Sequence, residues 1–147
     1  MIRYFTEDIS FDLKGKRTVS KWLKTVAEGR GYVLGELNYI FCSDAYLLDI
    51  NRQFLGHDYY TDIITFDNSE DYALEKGRDG VSGDIYISID TVRANGEQYG
   101  EGFDRELLRV IAHGLLHLTG CDDVTEEMQR EMRLAENQAL ELYDRGL

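Results

Sequence analysis

The chain is 147 residues long, enough to bury one substantial core, and its 43% hydrophobic content excludes a disordered chain. Its 28 acidic residues outnumber the 16 basic ones, which argues mildly against a polyanionic partner except at a local basic patch, because salt screens exposed charges beyond about 8 Å. No segment approaches the roughly 20 apolar residues that span a bilayer. The first ten residues lack the apolar core of a signal peptide, and Cys42 and Cys121 give no disulfide framework. We therefore expect a cytoplasmic chain without membrane contact.

Hydrophobic periodicity predicts an α+β fold, in which a single domain contains a mixed four-stranded sheet packed with about five helices. The strands are expected at 1–5, 37–41, 62–67 and 84–89. The helices are expected at 18–28, 43–54, 90–99, 104–118 and 125–143. The segment 69–83 is polar and contains glycine, which predicts a long loop or a hairpin connection.

Three of these helices have apolar stripes that we expect in the core. The helix that follows Ser43, its predicted N-cap, presents Leu47, Leu48, Ile50 and Phe54. The helix at 104–118 presents Leu107, Leu108, Ile111, Leu115 and Leu118, and the last helix presents Met128, Met132, Ala135, Ala139 and Leu142. The last two helices meet at Gly120, so a site at their junction can be open to solvent.

The most informative run is HGLLHLTGCDD, in which His113, His117 and Asp123 follow the spacing His-x3-His-x5-Asp. Residues four apart lie on one face of a helix, so both imidazoles can reach one metal ion. Gly120 ends the helix and turns the chain back, which brings Asp123 towards the same point. Two nitrogens and one carboxylate oxygen suit zinc with a fourth position left open, as in a catalytic site. This pattern predicts a small metal-dependent hydrolase.

Other interpretations of these residues stay open. The histidines are alternatively two helix residues that are satisfied within the core. Asp123 is alternatively the N-cap of the last helix, in a capping box with Glu126, although Thr125 can cap in its place. Asp122 and Cys121 are alternative third ligands.

The spacing is also similar to that of metzincin proteases, in which a glutamate directly follows the first histidine and acts as the general base. Here that position is Gly114, and no Met-turn is evident. General-base catalysis contributes on the order of 10²–10⁴ in rate, so the protease interpretation is disfavoured.

The same run resembles the signature of the YbeY family, His-Gly-x-Leu-His-Leu-x-Gly-aromatic-Asp-His, and two further segments are similar to family segments: TDIITF at 61–66 and GDI at 83–85. The resemblance extends over essentially the whole chain. It implies one metal-dependent endoribonuclease-like domain at 1–147, which holds one zinc ion and hydrolyses phosphodiesters with a metal-activated water. The implied partners are single-stranded RNA, ribosomal RNA and the ribosome, in ribosomal RNA maturation and ribosome quality control. No DNA is expected.

Two positions depart from the family pattern. Asp123 stands where the family usually has a third histidine, which leaves other divalent metals such as manganese or iron open. Leu55 stands where members usually carry an arginine implicated in activity. The catalytic candidates are then His57, alternatively a surface-loop histidine, and Asp122, which can orient a ligand. No substrate-binding residue is assigned.

The basic residues are concentrated near the N-terminus, where residues 1–35 contain seven bases and four acids. RNA can approach along the region from Lys14 to Lys24, for which a solvated helix face is the alternative. Alternative functions are a non-catalytic ribosome assembly factor with a structural metal and a metal-dependent hydrolase of another substrate, such as a peptide. A non-haem iron oxygenase also uses two histidines and a carboxylate, but this spacing is unlike such a site.

Overall fold

A computed structural model describes residues 1–70 and 80–147. The strands in these ranges are β1 (Ile2–Thr6), β2 (Val33–Cys42), β3 (Ile63–Asp67) and β4 (Gly80–Ser88). The helices are α1 (Lys16–Gly29), α2 (Asp44–Ile50), α3 (Ile89–Gln98), α4 (Phe103–Leu118) and α5 (Glu126–Asp144), and a π-helical turn, Asn51–Leu55, continues α2. The predicted α+β fold with a mixed four-stranded sheet is confirmed.

The sheet has the strand order β1-β2-β4-β3. β2 pairs with β1 and β4 in parallel, whereas β3 runs antiparallel to β4 at the edge. The centre of the sheet is apolar, since Tyr39 of β2 lies opposite Ile85 of β4 and Phe41 lies opposite Ile87, all four buried. Such continuous apolar strands are typical of a sheet covered on both faces.

Helix α4 packs directly on β3 and β4. A Cβ added at Gly114 would lie 2.9 Å from Cγ2 of Ile85 and 3.1 Å from Cδ1 of Ile63, so only glycine fits at this separation of helix and sheet. Tyr39 donates its hydroxyl hydrogen to the carbonyl of Ile111 at 2.8 Å, which fixes α4 along the sheet. Gly114 is therefore required by packing.

The remaining elements enclose this core. Trp22 of α1 is buried and donates to the carbonyl of Ala139 in α5 at 2.6 Å, so these two helices pack against each other. Helix α2 packs on the opposite face of the sheet, where Leu47 contacts a small second cluster with Cys42 and Ile64. Side chains alternate along a strand, so Ile64 faces α2 because its neighbour faces α4.

Four details of the prediction are wrong. β2 begins at Val33, four residues before the predicted start, because its register with β4 shifts between Leu34 and Leu37 and the strand continues across Gly35 and Glu36. β4 begins at Gly80, so the end of the predicted loop is strand; positions 71–79 lie outside the described residues. The helix that starts at Ser43 changes to a π-helical turn after Ile50, which leaves Phe54 exposed. In α5, Met128 is exposed. The buried face of α5 is instead formed by Met132, Ala135, Glu136, Ala139 and Leu140. None of the described helices is both long and apolar enough to cross a membrane.

Candidate metal centre

The end of α4 turns the chain back on itself. The N–H of Cys121 donates to the carbonyl of Leu116 at 3.0 Å, and the N–H of Gly120 donates to that of His117 at 3.1 Å. This pair of hydrogen bonds is a Schellman motif, which needs a left-handed residue after the helix, and Gly120 has a φ of +95°. The predicted turn at Gly120 is confirmed, and it directs Asp123 towards the histidine face of α4.

Three possible ligand atoms come together at this turn. Oδ2 of Asp123 lies 3.5 Å from Nε2 of His113 and 3.5 Å from Nε2 of His117, and ligand atoms of the three residues all lie within 4.8 Å of one another. A zinc–ligand bond of about 2.0–2.1 Å places tetrahedral ligands roughly 3.3–3.4 Å apart. The donor set therefore fits one zinc ion, and the partial exposure of all three side chains leaves a position for water or substrate.

The structure distinguishes Asp123 from the alternatives for the N-cap of α5 and for the third ligand. Thr125 caps α5, since its hydroxyl accepts a hydrogen bond from the N–H of Met128 at 3.1 Å, so Asp123 is not the cap. Sγ of Cys121 accepts from Arg30 at 2.8 Å, and Oδ1 of Asp122 accepts from the N–H of Asp123 at 3.0 Å. Asp123 remains the carboxylate that faces the histidines.

Glu136 of α5 contacts His113 on its Nδ1 side, away from the nitrogen that faces Asp123, and sequence reasoning missed this contact. Nδ1 of His113 lies 2.7 Å from Oε2 of Glu136, whose side chain is 8% exposed. A carboxylate in this position accepts a hydrogen bond from Nδ1–H, which keeps the proton on Nδ1 and leaves the lone pair of Nε2 free for a metal ion, as in carboxylate–histidine–zinc triads. The one hint in the sequence is an acid within the apolar stripe of α5, one residue after Ala135 and three before Ala139.

The pKa values of this pair shift in opposite directions. Burial raises the pKa of Glu136, but the hydrogen bond and charge of His113, together with those of Arg109, lower it by more than burial raises it, so the pKa lies below its usual range. Burial lowers the pKa of His113, and Glu136, Asp62 and Asp123 outweigh this effect, so the pKa is raised. Arg109 is itself buried and contacts Glu136 at 3.3 Å.

Asp62 lies on the same side of His113 and was not predicted as a site residue, although it falls in the TDIITF segment. It lines a cavity of about 240 Å³ together with His113, Glu136, Glu106 and Arg109. Burial raises the pKa of Asp62, and the positive charge of His113 lowers it less. Burial also raises the pKa of Glu106. The cavity therefore places a carboxyl group that holds its proton more tightly than usual beside a histidine of the centre.

On the other side of the centre, His117 borders an open cleft of about 350 Å³. The cleft is also lined by His57 and by Leu55, the residue in place of the family arginine. The structure thus places the catalytic candidate His57 within the same cleft as His117, with Nδ1 in a 3.0 Å hydrogen bond to the hydroxyl of Tyr59.

The predicted basic approach lies elsewhere. Lys14 lines a cavity between Phe11 and Tyr143, and Lys21 and Lys24 line another beside β1 and β2; neither cavity shares a residue with the candidate centre. Of the basic residues in positions 1–35, Arg30 does contact the turn that follows His117, where its Nε donates to Thr119 at 2.9 Å.

Comparisons with known proteins agree on one family. The family model described as Endoribonuclease YbeY matches residues 2–144. The chain is 51% identical over 143 residues to Endoribonuclease YbeY of Phocaeicola vulgatus, which covers 97% of this chain and 98% of that protein. It is 50% identical over 141 residues to that of Cytophaga hutchinsonii, covering 96% and 94%. The solution structure of TM1509 from Thermotoga maritima matches with a TM-score of 0.66 at 28% identity, covering 97% of this chain and 89% of that one.

Proposed function

Because the chain belongs to the Endoribonuclease YbeY family, we propose that it is a metal-dependent endoribonuclease in which residues 1–147 act as one catalytic domain. The relatives' names provide the reaction class. The observation that carries the proposal is the convergence of three ligand atoms within 4.8 Å of one another beside an open cleft, with Oδ2 of Asp123 3.5 Å from Nε2 of each histidine. The resemblance of the sequence to the family further supports single-stranded RNA as substrate, action in the cytoplasm on ribosomal RNA and a role at the ribosome.

In this proposal His113, His117 and Asp123 hold one zinc ion. When bound, zinc would lower the pKa of a coordinated water to about 7, which would supply a nucleophile without a dedicated general base, and it would also polarise a phosphoryl oxygen. Glu136 keeps the proton on Nδ1 of His113, so that Nε2 stays a ligand. The general-base glutamate that metzincin proteases carry at the position of Gly114 is then not needed.

Proton transfer falls to residues on the two sides of the centre. Asp62 is the carboxyl candidate on one side, since it lines a cavity together with His113. His57 borders the cleft and is the second candidate, and Asp122, whose Oδ1 accepts a hydrogen bond from the N–H of Asp123, is assigned the role of orienting that ligand.

The test combines elemental analysis with cleavage of RNA. Wild type, His117→Ala and Asp123→Ala are purified and assayed on single-stranded and duplex RNA with zinc, manganese or iron. We expect one zinc per wild-type chain, cleavage of the single strand, and folded variants that lose both metal and cleavage. Asp122→Asn, a carboxylate next to the ligand, is the matched control and retains both. A zinc-loaded wild type that leaves every RNA intact would overturn the proposal.

A second candidate function is a ribosome assembly factor whose metal stabilises the junction of α4 and α5. The observation in its favour is Leu55, an apolar residue on the wall of the cleft where the family usually has a cation. Thermal unfolding separates the two: a structural metal predicts that metal removal or His117→Ala lowers the melting temperature greatly, whereas a catalytic metal predicts loss of cleavage in a chain that stays folded.

A further inference from the structure

The segment that borders the cleft exposes aromatic rings that the core does not use. Between residues 54 and 60 the chain exposes Phe54, Leu55, Tyr59 (55%) and Tyr60 (65%). Large apolar side chains that are exposed as a group mark interaction sites more often than those exposed singly. The exposed rings of this segment are therefore available to a ligand.

Tyr59 and the neighbouring His57 form a stacking platform. The rings of His57 and Tyr59 stack with centroids 5.1 Å apart and an interplanar angle of 19°. Asn51, which is buried, fixes their backbone: its side-chain amide donates to the carbonyl of Tyr59 at 2.9 Å, and its carbonyl accepts from the N–H of His57 at 3.1 Å. The platform is thus held in place before any ligand binds, which reduces the ordering cost of binding.

The cleft beside this platform suits a flat and neutral group. Its volume of about 350 Å³ lies at the lower end of the range for small-molecule sites. Among the described residues that line it, none is lysine or arginine, and Asp67 is an acid. The nearby Arg52 is paired with Asp58 at 2.5 Å and with Asp49 at 3.9 Å. A phosphate group would find little attraction here, whereas a nucleobase presents a π-face and no charge.

We propose that the cleft binds an unpaired base of RNA, stacked on the pair formed by His57 and Tyr59, next to the metal centre at His117. The inference rests on the proposed function and adds to it the part of the substrate that is recognised. Base–aromatic stacking tolerates any base but requires that the base be unpaired, so the cleft selects single strands by base exposure rather than by backbone charge.

Tyr59→Ala tests the stacking, and Tyr60→Ala is the matched control, because Tyr60 is an exposed neighbour that does not line the cleft. Loss of one stacked base weakens binding by about 5- to 150-fold. For the zinc-loaded full chain on a single-stranded RNA oligomer, we expect Tyr59→Ala to raise KM by that factor with kcat little changed. Tyr60→Ala should resemble wild type, and Tyr59→Phe, which keeps the ring, should recover most of the loss.

A second readout does not depend on cleavage. The fluorescent nucleoside 2-aminopurine riboside is quenched when it stacks, has no phosphodiester, and should be quenched by wild type and by Tyr60→Ala but not by Tyr59→Ala. The slope of log affinity for RNA against log salt should also not exceed roughly 1.4 in magnitude, the value for two phosphate contacts with a single strand.

The outcomes separate this inference from the proposed function. If wild type cleaves RNA and Tyr59→Ala has an unchanged KM, the stacking site is refuted and the nuclease stands. If Tyr59→Ala keeps its KM but loses binding to ribosomal protein, the surface serves a protein partner and the inference is equally refuted. If wild type fails to cleave RNA but quenches the riboside through Tyr59, the nuclease fails and the base site stands.

Discussion

Glu136→Gln should weaken zinc binding by about tenfold. Glu136 Oε2 lies 2.7 Å from Nδ1 of His113 with little exposure to solvent, so the hydrogen bond is charge-assisted and shielded. A hydrogen bond to a charged group contributes about 1.5–3 kcal/mol and a neutral one about 0.5–1.5 kcal/mol. The glutamine keeps the neutral bond, so the difference is about 1–1.5 kcal/mol, or roughly tenfold in Kd. Glu136→Ala should approach the 100-fold loss seen when such partners are removed.

The assay is competition for zinc with a chromogenic chelator, supported by the absorption spectrum of the cobalt-substituted protein. Glu136 also contacts Arg109, so a general loosening of that ion pair has to be separated from the effect on His113. Glu101→Gln is the control, since Glu101 contacts Arg109 at 3.2 Å and, among the side chains that the structure describes, forms no hydrogen bond with either histidine.

Two results would refute this reasoning. If Glu136→Gln binds zinc as tightly as wild type but unfolds at a lower temperature, Glu136 serves only to neutralise Arg109. If Glu101→Gln loses zinc affinity to the same extent, the loss reports the stability of the α4–α5 junction and not the orientation of His113.

Three further predictions concern the same junction. Gly114→Ala should lower the free energy of unfolding by about 1–2 kcal/mol, because the added methyl would lie within 3.1 Å of three side-chain carbons. Gly29→Ala, where a Cβ meets no atom within 4 Å, is the control and should be neutral or stabilising. Equal effects of the two substitutions in urea unfolding would contradict the packing argument. Thr125→Ala should cost about 1 kcal/mol of stability in urea unfolding and leave zinc affinity intact. Asp123→Ala should lower zinc affinity and leave the stability of the metal-free chain unchanged, and a loss of stability as large as that of Thr125→Ala would contradict this division of roles. The pKa of His113 is raised in the folded, metal-free protein, so protonated His113 stabilises the fold below about pH 6.5, and this contribution is lost as the pH rises through the folded pKa. The difference in free energy of unfolding between wild type and His113→Ala should therefore fall as the pH rises. A difference that stays constant with pH would be evidence against this linkage.

The fold was predictable where one periodicity continued through an element. The core helices follow a period of 3.6 and the central strands are short apolar runs, and the existence and order of these elements are confirmed. The start of β4 was missed because Gly80 and Gly83 are typical of turns, and because Ser82 is polar. In the structure Ser82 is buried, and its polar groups are satisfied by two hydrogen bonds: its hydroxyl accepts from the N–H of Glu36 at 2.9 Å, and its own N–H donates to the hydroxyl of Ser69 at 3.1 Å. Such long-range partners leave no trace in a local pattern.

The residues of the site likewise fall into those that a local pattern predicts and those that it does not. His113, His117 and Asp123 come from one run of the chain, so helix geometry and one turn are enough to predict that they converge. Glu136 and Asp62 reach the centre only because α5 and β3 pack against α4, and the sequence contains no spacing rule for that contact. Residues contributed by tertiary packing are therefore the part of the site that sequence reasoning missed.

The two departures from the family pattern act in the same direction. Asp123 in place of a histidine and Leu55 in place of an arginine each make the surroundings of the cleft one charge more negative. A unit charge at 4 Å changes the energy of a phosphate by about 4 kcal/mol at an effective dielectric constant of 20. Arg109 does not compensate, because its guanidinium is buried and held by three polar partners. Under the proposed function, the contact between the metal ion and a phosphate is therefore supplemented by one that does not depend on charge, and the stacked rings of His57 and Tyr59 offer that contact within the cleft that His117 also lines.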